Sequence, residues 1–404
     1  MPGRTALLGL LATAVVLGTG PVPTAAVPPP VTAAAPVCTN APPAGRVVRT
    51  VPWPQRRYAP ERLASLATGA GVTVAVIDSG VEARHPQLRG RVLAGRDYLD
   101  GGDGRRDCVD HGTSVASIIA ARAQDDAGLR GLAPNAMVLP IRVSEQQIID
   151  GKETGRKVSA AKFGQAIRWA VDRGADVLNL SVVLYADNSA VREAVSYAIA
   201  RDVVVVAAAG NLHNEGDPVP YPAAYDGVVG VGSIGPDGTR SPYSQVGAYV
   251  DLVAPGGDVI AAAAAGGHKQ QSGTSYAVPF VAATAALVRD YRPDLSAPQV
   301  VARILATTDP APANGQSAAY GAGVLNPYRA VTDTASAAGP HAAPTLRRAK
   351  ADPAILARAE RRAQSRHTSL WLAAAGGGLA GIAMLLAVVL PRGASRRWRP
   401  AGRP

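Results

Sequence analysis

The sequence predicts an α/β fold in which a mostly parallel central sheet is covered by helices on both faces. Short runs rich in Val, Ile and Ala recur along the chain, and polar residues rarely interrupt them. Strands that are buried on both faces have this continuous apolar character, whereas half-exposed strands alternate. Segments of helical length separate the runs, as parallel neighbours in one sheet require. The 404-residue length suffices for one large domain with appended segments.

The predicted elements alternate between strand and helix along the central part of the chain. Apolar, β-branched composition predicts strands, which cover 72–77, 137–143, 176–183, 203–208 and 228–233. Helical periodicity or a small apolar composition predicts helices, which cover 112–123, 160–173, 190–200, 278–289 and 298–307. Gly174 lies where the C-cap of the second helix belongs. The polar segment 144–158 is interpreted as a surface loop.

The positive charge of the chain is concentrated at its C-terminal end. The formal net charge is +11, but residues 341–404 hold 12 Arg and Lys against two acidic residues. The first 340 residues are therefore nearly neutral, which argues against a nucleic-acid partner. The apolar fraction of 47% also excludes a mainly disordered chain.

The N-terminal segment predicts export from the cell. A single charge, a short apolar run and small residues predict a signal peptide over 1–26. An N-terminal membrane anchor is the weaker interpretation, because the apolar run is too short to span a bilayer. A Pro-rich extension over 27–60 precedes the predicted globular body, which covers 61–330.

The C-terminal segment predicts attachment to a membrane. An Ala/Pro-rich and then basic linker over 331–369 leads to 370–390, which has no charged residue and the length of a transmembrane helix. The basic segment 391–404 is then a cytoplasmic tail, and the signal peptide places the body outside the cytoplasm. A buried core helix is the alternative for 370–390, but little chain follows to cover it. These features predict a single-pass protein of the cell membrane.

The chain contains two cysteines, Cys38 and Cys108. In an exported protein an even pair of cysteines predicts a disulfide bond. Two unrelated thiols or an intermolecular bridge are the alternatives. A bridge within the chain would tie the Pro-rich extension to the body, three residues before His111.

Three separated segments carry side chains suited to nucleophilic catalysis. Asp78 ends the first predicted strand, His111 opens a helix, and Ser275 lies at the start of another helix. Taken singly, each has a plain structural interpretation, such as an N-cap for Ser275. Together they supply a nucleophile, a base that takes its proton and a carboxylate that orients the imidazole. Because all three are expected at the same rim of the sheet, we predict a catalytic triad.

The order Asp, His, Ser and the flanking residues resemble those of the subtilisin-like serine proteases. The resemblance covers about 60–330 and rests on the motifs Asp-Ser-Gly at Asp78, His-Gly-Thr at His111 and Gly-Thr-Ser-x-Ala-x-Pro around Ser275. It implies a three-layer sandwich around the sheet and a serine endopeptidase acting on proteins or peptides. Pro279 ends the last motif, and we expect it near enough to the helix start for its missing N–H to cost little.

The resemblance also implies an oxyanion hole and substrate-binding positions. Asn211 follows a predicted strand and matches the family residue that completes the oxyanion hole. The implied substrate-binding residues are Ser181, Val183, Ala209 and Gly210. The family usually has Gly where this chain has Val183, so we expect an altered wall of the primary specificity pocket.

The order of the segments resembles that of the mycosins, the membrane-anchored subtilisin-like proteases of type VII secretion systems. This resemblance implies a type VII secretion membrane complex as a partner. A broad-specificity cell-surface protease, or a structural component whose catalysis is dispensable, are the alternative functions.

No metal or other cofactor is predicted. The acidic residues Asp97, Asp100, Asp103 and Asp107 form at most a weak calcium candidate, and we interpret them as a solvated turn.

Overall fold

A computed structural model describes residues 42–149, 152–312 and 317–333. All of them belong to one compact unit, Ala35–Pro404. The predicted signal peptide, the start of the Pro-rich extension with Cys38, the linker from residue 334, the predicted transmembrane helix and the basic tail lie outside the described residues. Within the described ranges, no helix is both long and apolar enough to cross a membrane.

Strands and helices alternate through most of the described chain. The strands are β1 (Thr73–Asp78), β2 (Arg96–Asp97), β3 (Met137–Arg142), β4 (Gln147–Ile149), β5 (Lys152–Thr154), β6 (Val177–Leu180), β7 (Val204–Ala208), β8 (Val228–Ile234), β9 (Leu252–Pro255), β10 (Val259–Ala262) and β11 (His268–Gln271). The helices are α1 (Trp53–Tyr58), α2 (Pro60–Leu63), α3 (His111–Ala120), α4 (Ala160–Asp172), α5 (Ser189–Ile199), α6 (Thr274–Tyr291), α7 (Ala297–Ala306) and α8 (Pro327–Thr332).

Seven strands form the central sheet in the order β2-β3-β1-β6-β7-β8-β9. Every neighbouring pair in it is parallel. Successive side chains of a strand point to opposite faces, and β1 shows what each face meets. Val74 and Val76 pack in a cluster with residues of α3 and α6, whereas Ala75 and Ile77 pack with residues of α4 and α5. The predicted α/β fold with a parallel sheet and helices on both faces is therefore confirmed.

The predicted strands and helices of the core are present, with ends that shift by a few residues. The largest shift is in α6, which begins at Thr274, whereas the apolar pattern predicted a start at Val278. The strand β9 and the antiparallel pair β10–β11 were not predicted. These three strands have only four residues each, so tertiary pairing rather than periodicity defines them.

The segment 144–158 is not simply the surface loop that its polar composition predicts. It contains the antiparallel hairpin β4–β5, and Glu145 just before the hairpin is fully buried. Glu145 accepts from Arg142 Nη2 at 2.5 Å and from Arg156 Nε at 2.6 Å. Ion pairs, which leave no hydrophobic pattern, hold the base of this segment to the body.

Residues of the Pro-rich extension pack on the body. Gly45 N–H donates to Gly266 O at 2.8 Å, and His268 N–H donates to Arg46 O at 3.0 Å. This isolated antiparallel bridge between Arg46 and His268 adds one paired residue of the extension to the β10–β11 pair. In α1, Trp53 Nε1 donates to Gly257 O at 3.0 Å. From residue 45 onward, the extension is therefore part of the folded unit.

Candidate active site

The ends of three elements meet at the carboxyl edge of the sheet. Asp78 is the last residue of β1, His111 is the first residue of α3, and Ser275 is the second residue of α6. The N-cap of α6 is Gly273, so the N-cap interpretation of Ser275 is wrong. Because α3 and α6 pack in one cluster on the same face of β1, the sheet brings together residues up to 197 positions apart in sequence.

The three side chains form a continuous hydrogen-bonded chain. His111 Nδ1 lies 2.7 Å from Asp78 Oδ1, and His111 Nε2 lies 2.9 Å from Ser275 Oγ. Asp78 Oδ1 also accepts from the Ser79 N–H at 2.7 Å. The Asp78 side chain is 3% exposed and that of His111 is 27% exposed. A buried carboxylate thus faces one ring nitrogen of His111, while the other ring nitrogen faces the Ser275 hydroxyl.

A glycine beside His111 lets the three elements approach this closely. A Cβ at Gly112 would lie 2.1 Å from Gly80 O and 3.3 Å from the Asp78 Cβ, which no side chain can tolerate. Glycine at this position therefore lets the start of α3 lie against the end of β1.

The electrostatic surroundings raise the pKa of His111. Burial of the ring would by itself lower this pKa, but the charge of Asp78, its hydrogen bond and the charge of Asp107 together raise it above 6.5. Asp107 is itself buried, and burial raises its pKa to about 6. It is held by the Ser79 hydroxyl at 2.9 Å and the Thr113 hydroxyl at 2.7 Å. A buried carboxylate pair thus stabilises the imidazolium form of His111.

Asn211 lies beside Ser275 and is oriented by Thr274. Asn211 Oδ1 accepts from the Thr274 N–H and from the Thr274 Oγ1, both at 2.9 Å. These two bonds leave the Nδ2 group of Asn211 on the side of Ser275. A Cβ placed on Gly273 would lie 3.1 Å from Ser275 Oγ and 3.5 Å from Asn211 Nδ2. An N–H donor and a hydroxyl therefore border the same small space. Thr274 was not singled out from the sequence, although it adjoins Ser275 in the motif.

Gln245 supports the loop that carries Asn211. It is fully buried, and its Oε1 accepts from the Leu212 N–H at 3.3 Å. A Cβ on Gly210 would lie 2.0 Å from this oxygen, and Gly210 has a φ of +90°, so both space and backbone conformation require glycine. No sequence motif marks Gln245, because its role depends on a contact across 33 residues.

The predicted substrate-binding residues lie in two segments that follow neighbouring strands. Ser181 and Val183 follow β6, and Ala209 and Gly210 follow β7, which pairs with β6 in the sheet. Val183 is half-buried against the cluster that contains α6.

The acidic residues 97–107 are only in part the solvated turn predicted from the sequence: Asp100 and Asp103 are more than 40% exposed, whereas Asp97 and Asp107 are largely buried. Asp97 and Asp100 accept from Arg142 Nη1 at 2.7 and 2.8 Å, and Asp100 also accepts from Arg156. Arg142 is only 3% exposed, and Asp107 is buried. Among the described residues, no group of three or more His, Cys, Asp or Glu side chains is placed to hold a metal ion. Arginines supply the positive charge that balances Asp97 and Asp100.

The sequence profile of the subtilase family matches residues 69–323. The chain belongs to the subtilase family. Thermitase from Thermoactinomyces vulgaris is 34% identical over 281 residues, covering 68% of this chain and 96% of thermitase. Subtilisin DY from Bacillus licheniformis is 37% identical over 260 residues, covering 64% of this chain and 90% of that protein. The chain is accordingly a subtilisin-like serine endopeptidase.

Solved structures of two secretion-associated proteases are also similar to this subtilase. The MycP3 protease from the type VII (ESX-3) secretion system superposes with a TM-score of 0.61 at 32% identity, over 72% of this chain and 91% of that one. MycP1 from Mycobacterium smegmatis superposes with a TM-score of 0.62 at 28% identity, over 72% and 88%. The resemblance to mycosins noted in the sequence thus extends to the fold.

Proposed function

We propose that this subtilase is a membrane-anchored, extracytoplasmic serine endopeptidase whose catalytic triad is Asp78, His111 and Ser275 and which processes substrates of a type VII secretion system. The observation that carries the triad is the pair of hydrogen bonds at His111, 2.7 Å to Asp78 and 2.9 Å to Ser275. These are the contacts through which an imidazole accepts a proton from a hydroxyl while a carboxylate fixes its tautomer.

The proposed reaction follows from this geometry. Ser275 Oγ attacks the carbonyl carbon of the scissile peptide bond as His111 Nε2 takes its proton. The imidazolium then gives this proton to the leaving amine nitrogen, the C–N bond breaks, and an acyl-enzyme remains on Ser275. Water attacks the ester with His111 again as the base, and the proton returns to Ser275 Oγ as the acid product leaves. Asp78 stays ionised and stabilises the imidazolium.

Asn211 is the proposed side-chain donor of the oxyanion hole, together with the Ser275 backbone N–H. Its Nδ2 group borders the same space as Ser275 Oγ, and Thr274 holds its amide in that orientation. Donors that are fixed before the reaction need no reorganisation as charge develops on the carbonyl oxygen. Such a donor typically stabilises the transition state by about 3–4 kcal/mol.

The proposed substrate strand lies along residues 181–183 and 209–210. Directly after the first segment, Leu184 and Tyr221 exchange two backbone hydrogen bonds of 2.7 Å. The backbone groups of Leu184 are therefore not free to pair with a substrate strand. Val183 adds a branched side chain where the family usually has none. We expect it to narrow the primary pocket and to favour small side chains before the scissile bond.

The secretion role and the membrane attachment rest on similarity and on sequence. MycP1 and MycP3 are described as type VII secretion proteases, and this chain covers most of their length. The apolar segment 370–390 and the basic segment 391–404 supply the proposed single span and the cytoplasmic tail.

A scaffold role and a broad degradative role are the competing functions, and Ser275→Ala separates them. A deletion strain is complemented with the wild type or with Ser275→Ala, and the exported proteins are compared by N-terminal mass spectrometry. If a few exported proteins have different N-termini in the Ser275→Ala strain from those in the wild-type strain, processing is supported. Normal export and unchanged N-termini with Ser275→Ala would contradict it, and a general loss of cleavage products would indicate a degradative protease.

A Cys38–Cys108 disulfide and a retained extension are part of the proposal. No cysteine among the described residues is free, Cys108 is buried, and the extension packs on the body from residue 45. Mass spectrometry of the mature, non-reduced protein tests both points. An N-terminus beyond Cys38 would refute them.

A further inference from the structure

A proline inside α6 removes the helical partner of the Ser275 carbonyl group. In an α-helix each N–H donates to the carbonyl four residues earlier, so the N–H of residue 279 would donate to Ser275 O. Pro279 has no N–H and is the sixth residue of α6. Pro279 therefore lies beyond the first four N–H groups of the helix, which have no helical acceptor, and its missing N–H leaves Ser275 O without a helical donor. The carbonyl that loses its donor belongs to the nucleophile itself.

A side chain from another strand takes the place of the missing donor. Ser181 Oγ donates to Ser275 O at 3.1 Å, across 94 residues of sequence. Asn179 Nδ2 in turn donates to Ser181 Oγ at 2.9 Å. Because a carbonyl oxygen can only accept and the Ser181 hydroxyl has one proton, the direction of this chain is fixed from Asn179 through Ser181 to Ser275.

All three members of this chain are shielded from water. Ser181 is 9% exposed, Ser275 is 7% exposed and Asn179 is fully buried. Solvent therefore cannot easily replace the hydroxyl as a donor to the carbonyl. The hydrogen bond joins the end of β6 to the first turn of α6, which carries both the hydroxyl and the backbone N–H of Ser275.

We infer that Ser181 is a positioning residue: its hydroxyl replaces the N–H that Pro279 lacks and so fixes the Ser275 backbone against β6. This inference rests on the proposed role of Ser275 as the nucleophile. Ser181 is also an expected substrate-binding residue, but that expectation concerns the exposed edge of the segment. The hydroxyl points the other way, into the structure beneath the nucleophile.

A double-mutant cycle between Ser181 and Pro279 tests the inference. Ser181→Ala removes the donor and leaves a buried carbonyl oxygen unsatisfied. We expect kcat to fall about tenfold and KM to change less than about twofold. Pro279→Ala restores an N–H at position 279, which can donate to Ser275 O within the helix. In the Pro279→Ala background, Ser181→Ala should therefore cost less than about twofold. An equal loss in both backgrounds, or no loss in either, would overturn the inference.

Two further measurements separate positioning from substrate binding and from general destabilisation. The rate of Ser275 sulfonylation by phenylmethanesulfonyl fluoride, which does not occupy the extended substrate edge, should fall with Ser181→Ala by the same factor as kcat. An unchanged rate would assign the hydroxyl to substrate binding and refute positioning. Thr284→Val is the matched control, because Thr284 Oγ1 also donates to a buried carbonyl of α6, that of Phe280, at 2.7 Å. We expect a lower Tm for this variant but an unchanged sulfonylation rate.

Ser181→Thr keeps the inference testable if Pro279→Ala does not fold. It retains the hydroxyl, and we expect at least half of the wild-type sulfonylation rate. A loss as large as that of Ser181→Ala would refute the role of the hydroxyl. Ser275→Ala, measured in parallel, distinguishes a failure of the proposed function: if that variant keeps its peptidase activity, Ser275 is not the nucleophile, whatever Ser181 does.

Discussion

Replacing Asp78 with Asn removes the charge behind His111 while its geometry is preserved. Asp78 Oδ1 accepts from the Ser79 N–H at 2.7 Å and faces His111 Nδ1 at the same distance. An Asn amide oriented with its oxygen at this position keeps both contacts. The reverse orientation would place the amide N–H groups against the Ser79 N–H, so we expect the first orientation and an unchanged His111 tautomer.

The size of the effect follows from the lost charge. A carboxylate and an imidazolium whose charges are about 4 Å apart attract each other by about 4 kcal/mol at an effective dielectric constant of about 20. Loss of this attraction in the transition state slows the reaction about 10³-fold. Because the tautomer is expected to be unchanged, we predict that Asp78→Asn lowers kcat by about 10³-fold. A reduction of about 10⁴-fold would show that the tautomer is lost as well.

The pH profile gives a second, independent result. The active form of His111 is neutral, so kcat/KM of the wild type should rise with pH through a pKa above 6.5. Asp78 contributes most of the upward shift, while burial acts downward. In Asp78→Asn the acid limb should therefore move to lower pH, even though the maximal rate is much smaller. The maximal rate and the position of the acid limb are measured for both proteins with a peptide substrate between about pH 5 and 9.

Asp176→Asn is the matched control for this experiment. Asp176 Oδ2 accepts from the Thr73 N–H at 2.8 Å, at the opposite end of β1 from Asp78. The same chemical change on the same strand should leave the rate and the acid limb in place. A wild-type rate in purified Asp78→Asn, or an acid limb that does not move, would refute the proposed role of Asp78.

Three other substitutions address the oxyanion hole, a carboxylate with a raised pKa and the specificity pocket. Asn211→Leu should lower kcat about 10²- to 10³-fold with little change in KM; an unchanged kcat would exclude this donor. Burial raises the pKa of Asp251 to about 7, so the wild type loses stability as pH rises from about 4 to 7. Asp251→Asn can still accept from the Gly230 N–H. Its free energy of unfolding should exceed that of the wild type by about 2–4 kcal/mol at pH 8 and equal it near pH 4. Denaturant unfolding at both pH values measures this difference, and a difference that does not change with pH would contradict the prediction. Val183→Gly should raise kcat/KM at least tenfold for peptides with a large residue before the scissile bond, and an unchanged preference would show that Val183 does not border the pocket.

The predicted parts of the site are those that short motifs encode. Asp78, His111 and Ser275 were each found beside residues that constrain the local backbone, such as Gly112, and at the ends of strongly apolar elements. The sheet then had to bring them together, because the carboxyl ends of its parallel strands lie along one edge. Thr274 was within reach of the same reasoning, because it adjoins Ser275 in the motif.

Contacts between distant polar residues could not be predicted in this way. Glu145 belongs to the segment that its polar composition predicts as a surface loop, yet the fold buries it in an ion pair with Arg142. Their burial depends on which charges the fold places opposite one another, and hydrophobic periodicity carries no information about such pairing. For the same reason, Asp97 was expected to be solvated, whereas its carboxylate is largely buried against Arg142.

The sequence by itself determined the fold class, the order of the core elements and the three residues of the proposed triad, because apolar periodicity and local backbone constraints are properties of neighbouring residues. The tertiary structure alone decided how these residues are held in place. Thr274 orients Asn211, Gln245 supports the loop beside it, and Ser181 donates to the carbonyl that Pro279 leaves without a partner. Each of these hydrogen bonds joins groups more than 30 residues apart, and such contacts exist only once the sheet has formed.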